Sequence, residues 1–383
     1  MNYFDYAATT PMSQEALSAF LEASKQRFGN ESSLHDEGSK AKDLLTAARI
    51  VIANSLNVQD HTVVFTSGGT ESNILALDTL LANRHEQRNH IIVSSLEHAS
   101  IIGHVAQLQT AGYSIDFLNH LPDGTICLEH LKQLVTDRTA LVIVQHVNSE
   151  IGIIQPIAKV YDIIRKKGIF LHVDCVQSYG KIDCHHIAKF ASSISISSHK
   201  IYGPKGVGAI IFPDIHNLQP AYAQATHENG FRPGTVNVPG IYAFALAANN
   251  ALQTIHENSK RILTLRKIFK QHLRIDSGHY EMLEGPKHIP HILCLLFSKV
   301  QGQYVMMELN RLGFYVSSGS ACKSGAKEPS KALLAIGKNE DEAKSSIRIS
   351  FSKHNTEVQC EQLAKALTDI IANIHASTDL TMN

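Results

Sequence analysis

One run of residues near the middle of the chain could do carbonyl chemistry. The apolar stretch 193–197 ends in Ser198-His199-Lys200 and continues as Ile201-Tyr202-Gly203-Pro204-Lys205-Gly206. A lysine held in a desolvated crevice loses its proton and attacks a carbonyl to form a Schiff base. One strand earlier, the stretch 169–173 ends in Asp174, with Gln177 following. Ligands of open α/β sheets bind beyond the carboxyl ends of the strands, so Asp174 and Lys200 are expected at one edge. The stretch 62–66 runs into Ser67-Gly68-Gly69-Thr70-Glu71-Ser72-Asn73 and then a helical pattern. Free backbone N–H groups and a threonine hydroxyl at that helix start suit an anion such as phosphate. The nucleotide signature G-x-x-x-x-G-K-[ST] is absent. An acid for a pyridinium nitrogen, a Schiff-base lysine and a phosphate cradle are the protein parts that pyridoxal phosphate requires. Singly, each has a plainer reading as a strand-to-helix turn, a capping aspartate or a surface lysine.

A second reactive group stands in a different setting. Cys322 lies within 317–329, a segment rich in Ser, Gly and Ala without hydrophobic period, which reads as a mobile loop. Cys294 falls in an apolar strand pattern and Cys360 in a helical one. A reactive cysteine must be accessible and partly thiolate, which a polar loop allows and a packed strand does not. His185-His186 reads as surface, because adjacent side chains diverge on a strand or a helix, and no metal site is expected. Glu97-His98 lacks the H-E-x-x-H spacing of a zinc hydrolase.

The elements that position these residues follow from periodicity. Short apolar runs at 62–66, 91–95, 115–118, 140–145, 169–173, 193–197 and 208–212 read as strands. Helical patterns at 43–56, 71–82, 101–109 and 157–166 lie between them, with Gly168 where a helix would stop. The alternation predicts an α/β large domain with a mostly parallel seven-stranded sheet covered on both faces. After about residue 250 a polar-faced helix at 258–273 leads to a strand at 292–297, a helix at 304–312, a strand at 346–351 and a helix at 358–374. That order predicts a smaller α+β C-terminal domain. The expected division is 15–252 for the large domain, and 1–14 with 253–383 for the small one.

Composition excludes several function classes. The chain has 383 residues, 44% hydrophobic, with Lys+Arg 35 balanced by Asp+Glu 35. Zero formal charge removes the electrostatic case for a nucleic-acid binder. Six cysteines without a C-x-x-C pair signal neither a zinc ribbon nor a disulfide framework and suit a reducing cytoplasm. No apolar run approaches the roughly 18 residues of a membrane span, and no signal-peptide pattern opens the chain, so a soluble protein is expected.

The motifs in order resemble those of the NifS/IscS-type cysteine desulfurases, class V members of the fold type I pyridoxal phosphate enzymes. The matching segments are Asp5-Tyr6-Ala7-Ala8-Thr9-Thr10-Pro11, Thr66 through Asn73, Glu97-His98, His146 through Gly152, His172-Val173-Asp174, Ser198 through Gly206, and Ser317-Ser318-Gly319-Ser320-Ala321-Cys322. The resemblance implies that Lys200 holds the cofactor as an internal aldimine, with Asp174 on the pyridine nitrogen, His98 stacked on the ring and Gln177 on the phenolic oxygen. Gly69, Thr70, Ser197 and His199 match phosphate and ring contacts, and Thr235 matches one reaching in from a partner subunit, which implies a homodimer. Ser149 stands where the family commonly has a second Asn that contacts cofactor or substrate. Asn30 and Arg348 match the grip on the substrate carboxylate, a task suited to a guanidinium fork.

The implied activity removes sulfur from L-cysteine, giving alanine and a persulfide on Cys322, which a sulfur-acceptor protein collects for iron–sulfur clusters or other sulfur-containing cofactors. Resemblance in 148–150, 174–177 and 231–239 points to a subgroup linked to NAD biosynthesis, supplying one dedicated iron–sulfur enzyme. The alternatives are a selenocysteine lyase, a class V aminotransferase, which needs no thiol, and a non-catalytic docking platform for sulfur or iron carriers.

Overall fold

Seven strands form the central sheet: β1 (Val63–Thr66), β2 (His90–Ser94), β3 (Ser114–Leu118), β4 (Thr139–Gln145), β5 (Phe170–Asp174), β6 (Ser193–Ser197) and β7 (Gly208–Ile211). The computed structural model describes residues 1–319 and 328–381, with side chains through residue 376. The strands lie in the order β1-β7-β6-β5-β4-β2-β3, and only β7 runs antiparallel to its neighbours. Continuous apolar runs become strands here because both faces are covered. Val142 and Val144 of β4 pack in one cluster with helix Asp36–Ser55, while Leu141 and Ile143 pack in another with helix Gly69–Ala82. This is the period-two alternation of a strand sandwiched between two helical layers.

A four-stranded antiparallel sheet forms the smaller unit: β8 (Tyr280–Leu283), β9 (Ile292–Phe297), β10 (Ser317–Ser318) and β11 (Ser346–Ser350), in the order β10-β11-β9-β8. Its apolar face packs with helices Ile255–His272 and Glu357–Thr381 through Leu265, Phe269, Leu363 and Leu367. The N-terminal strand joins this unit: Asn2–Tyr3 pairs with Phe314–Tyr315, Asp5 bridges Ser350, and Phe4 enters the same core.

Some expectations need amendment. Residues 317 and 318 are not loop but strand, in register with Arg348 and Ile347. Asp36–Ser55 starts before the expected 43 because His35 caps it, its Nδ1 accepting from Gly38 N. Strand β8 and the helices Gln14–Gln26 and Val238–Gln253 went unread. The last is rich in alanine and buries residues on several sides, so it carries no clear polar stripe.

Candidate active site

Parallel strands deliver their last residues to one edge, and register sets the spacing there. Gln145 of β4 lies beside Asp174 of β5, and Asp174 beside Ser195 of β6. Strand β6 runs on to Ser197, then turns through the short helix Ser198–Lys200, which brings Lys200 back toward Asp174. Antiparallel β7 joins the two outer contributions: its Gly208 pairs with both Thr66 and Ser197. A Cβ on Gly208 would sit 2.7 Å from the Cα of Gly68, so only glycine lets the Gly68-Gly69 turn close against β6.

The result is a cavity of about 440 Å³ lined by Gly69, Thr70, His98, Ser149, Asp174, Gln177, Ser197, His199, Lys200 and Arg348 among others. Ten of the residues singled out from the sequence therefore converge. Asn30 and Thr235 are exposed and do not line it, and Cys322 lies outside the described residues.

One end of the cavity offers anion donors. Gly68, at φ 147°, precedes helix Gly69–Ala82, and no side chain caps that helix. The first N–H groups of a helix have no intrahelical acceptors, so those of this turn remain for a ligand. The buried Ser197 hydroxyl beside them has no hydrogen-bond partner among the described residues. A buried unmatched hydroxyl is costly, and an anion seated there would satisfy it.

Across the cavity, Asp174 is fixed at both oxygens, Oδ1 accepting from Val176 N at 2.8 Å and Oδ2 from Asn73 Nδ2 at 2.9 Å. Asn73 Oδ1 in turn lies 3.1 Å from His172 Nε2, a ring that burial keeps neutral by lowering its pKa to about 3. Lys200 Nζ donates to the carbonyls of Ala7 and Ala8 at 2.6 and 2.7 Å. Burial first, and then the Arg348 charge, bring its amine down to about 8, against the opposing pull of Asp5 and Asp174. A lysine so placed is a nucleophile near neutral pH. His199 is held neutral by burial and by three lysines, with its pKa down to about 4. His98 caps helix Ala99–Thr110, its Nδ1 accepting from Ser100 N at 3.2 Å, which leaves the imidazole at the cavity rim.

Arg348 projects from β11 and bridges both units. Its Nη2 donates to Asp5 at 2.7 Å and Ser317 at 3.0 Å, its Nη1 to the Ser149 carbonyl at 2.8 Å, and its buried Nε has no partner among the described residues.

The sequence and the fold both have likenesses among known proteins. The aminotransferase class-V family profile matches residues 2–363. The NifS protein of Bacillus subtilis (strain 168) is 43% identical over 372 residues, covering 96% of this chain and 94% of that one. Cysteine desulfurase IscS 1 of Archaeoglobus fulgidus is 36% identical over 385 residues, covering 99% of each. The solved structure of a NifS-like protein superposes with a TM-score of 0.89 at 30% identity, covering 97% of this chain and 99% of that one. The chain belongs to the class V aminotransferases, in the NifS/IscS-type cysteine desulfurase branch.

Class V aminotransferases are pyridoxal phosphate enzymes, and the donor set here fits that group: uncapped helix N–H groups, an orphaned serine hydroxyl, a depressed lysine and a fixed aspartate. In this member the residue before Ser149 is structural. Asn148 accepts from Glu150 N and Ile151 N and donates to Leu96 O, so it shapes the turn while Ser149 faces the cavity. Sequence reasoning passed over Asn73, which sits in a quoted motif, and Asp5, whose carboxylate holds Arg348. Glu97, quoted with His98 as a motif, carries no role in the sequence; it is buried, and its Oε1 accepts from Gln145 N at 2.6 Å. Burial, and then the Asp174 charge, push Glu97 up to about 8. His185 and His186, read as divergent, lie instead in an irregular turn where their ring nitrogens and Asp183 come within 4.8 Å of one another. Among the described residues no helix is long and apolar enough to cross a membrane.

Proposed function

We propose that this chain is a pyridoxal phosphate-dependent cysteine desulfurase that converts L-cysteine to L-alanine and carries the released sulfur as a persulfide on Cys322. The observation that carries this reading is Lys200, half-buried at the carboxyl edge with a depressed amine, opposite a fixed Asp174 and beside an uncapped helix start. Gly69, Thr70, Ser197 and His199 would hold the phosphate end, Asp174 the pyridine nitrogen, His98 the ring face and Gln177 the phenolic oxygen. Bound there, pyridoxal phosphate supplies an electron sink for bond cleavage at the substrate.

The protein's own residues do the rest. Lys200 moves the substrate's α-proton as a base near its working pH. Arg348, anchored by Asp5 and with Nε unmatched, presents the fork that orients the substrate carboxylate. The Cys322 thiolate takes the sulfur: an S–S bond forms as the S–C bond of cysteine breaks, and the carbon skeleton leaves protonated as alanine. Lys200 and Arg348 reach the cavity from different units, which supports a division into a large domain over 15–252 and a small one formed by 1–14 and 253–383. The chain would act as a homodimer in which Thr235 serves a neighbouring subunit's phosphate, a reading its exposure supports, and Asn30 would complete the substrate grip. The persulfide goes to a sulfur-acceptor protein for iron–sulfur cluster or related cofactor synthesis, in the cytoplasm.

Alanine release from L-cysteine by cofactor-loaded protein, with a reductant to regenerate the thiol, tests this. Alanine is expected from the wild type and not from Cys322→Ser. Equal release from both would remove Cys322 from the role, and release from neither would reject the desulfurase reading.

A further inference from the structure

Seven residues past Asp174, the carboxylate that marks the site, the chain buries a second lysine. Lys181 is 9% exposed and follows the left-handed Gly180, in the turn that leaves β5. Its Nζ donates to Gln177 Oε1 at 2.9 Å, and among the described residues no carboxylate pairs with it. Burying an unpaired ammonium is costly, and burial first, then the Lys200 and Arg348 charges, bring the Lys181 amine down to about 7. The two neighbours of Gln177 also settle its orientation. Lysine can only donate and the Ala7 carbonyl can only accept, so Oε1 faces Lys181 and Nε2 faces Ala7 O at 2.8 Å. Ala7 O also receives the Lys200 ammonium, which closes a chain from Lys181 through Gln177 and Ala7 to Lys200.

Lys181 does not line the 440 Å³ cavity, whereas Gln177 and Lys200 do. It lines a separate hollow of about 260 Å³ on the other side of Lys200, shared with Tyr6, Tyr202, His291 and Ser350. Its charge is felt by His199 and His291, and the charges of Lys200 and of Arg348 on β11 act on it.

We propose that Lys181 is a positioning residue for this site: it holds Gln177 by the carbonyl and keeps the amide N–H end toward the cavity. This rests on the reading that pyridoxal phosphate binds at Lys200. The Gln177 N–H not used by Ala7 would then meet the phenolic oxygen.

The test is a titration of full-length protein with pyridoxal phosphate, followed by absorbance, for wild type, Lys181→Met and Lys181→Gln, together with the absorption maximum of the bound cofactor. In Lys181→Met, affinity is expected to fall roughly tenfold, as for loss of one hydrogen bond. The absorption maximum should shift as well, because Gln177 is free to turn and its N–H leaves the phenolic oxygen. Lys181→Gln keeps a donor for Gln177, so affinity and absorption maximum should both stay close to wild type. It also carries the measurement if the Met variant does not fold. Wild-type affinity and absorption maximum in a folded Lys181→Met, or loss of both in a folded Lys181→Gln, overturns the proposal alone. Wild-type protein that takes up no pyridoxal phosphate overturns the reading of the site and the proposal with it.

Discussion

Replacing Glu97 by Gln isolates one buried carboxyl. Glu97 is fully buried beside His98, and its carboxyl rises from 4.5 to about 8 through burial and the Asp174 charge. Between those limits the folded protein keeps a proton that the unfolded chain has released, so this group's contribution is complete below pH 4.5 and is lost as pH climbs to 8. Each pH unit in that window is worth about 1.4 kcal/mol, which makes the loss on the order of 3 kcal/mol by pH 7. Glutamine keeps the acceptor for Gln145 N without the ionisation. All other titrations cancel in the difference between variant and wild type, so that difference isolates Glu97. Urea unfolding of cofactor-free protein should show Glu97→Gln gaining about 3 kcal/mol on wild type between pH 4.5 and 7 and levelling above 8. For 383 residues that corresponds to a melting shift of roughly 4 °C. A difference that stays flat across this range would refute the buried, proton-retaining Glu97.

Two further outcomes follow from the same geometry. The Lys200 amine is nucleophilic only when neutral, so the rate at which cofactor-free protein captures pyridoxal phosphate should climb about tenfold per pH unit below 8 and level above it; stopped-flow absorbance reads this, and a rate independent of pH from 6 to 9 would contradict the depressed amine. Gly208→Ala puts a Cβ 2.7 Å from Gly68 Cα and 2.8 Å from Ile196 O, so it should cost about 1–3 kcal/mol of stability and weaken cofactor uptake by displacing the Gly68-Gly69 turn; urea unfolding with a cofactor titration checks both.

What the sequence made legible here is what local pattern controls. The seven strands of the large sheet announce themselves as short apolar runs because each is buried on both faces, and the carboxyl-edge rule then places Asp174 and Lys200 together without any tertiary information. Strand β8 escaped because it is an edge strand of four residues, none of them fully buried. The N-terminal segment offered a motif but no mechanism, since Ala7 meets Lys200 across 193 residues of chain and nothing local encodes that contact. Lys181 is the sharper case. In sequence it is one of 35 basic residues, and its character comes from burial beside two other cations, a property of the fold alone. Glu97 is alike, since its ionisation depends first on burial and then on Asp174 at the end of β5. Asp174, Ser197 and Lys200, which line the cavity, sit at or just past strand ends, where a periodicity reading can find them. Those that set their charge and orientation lie behind them, and only the packed structure brings them into view.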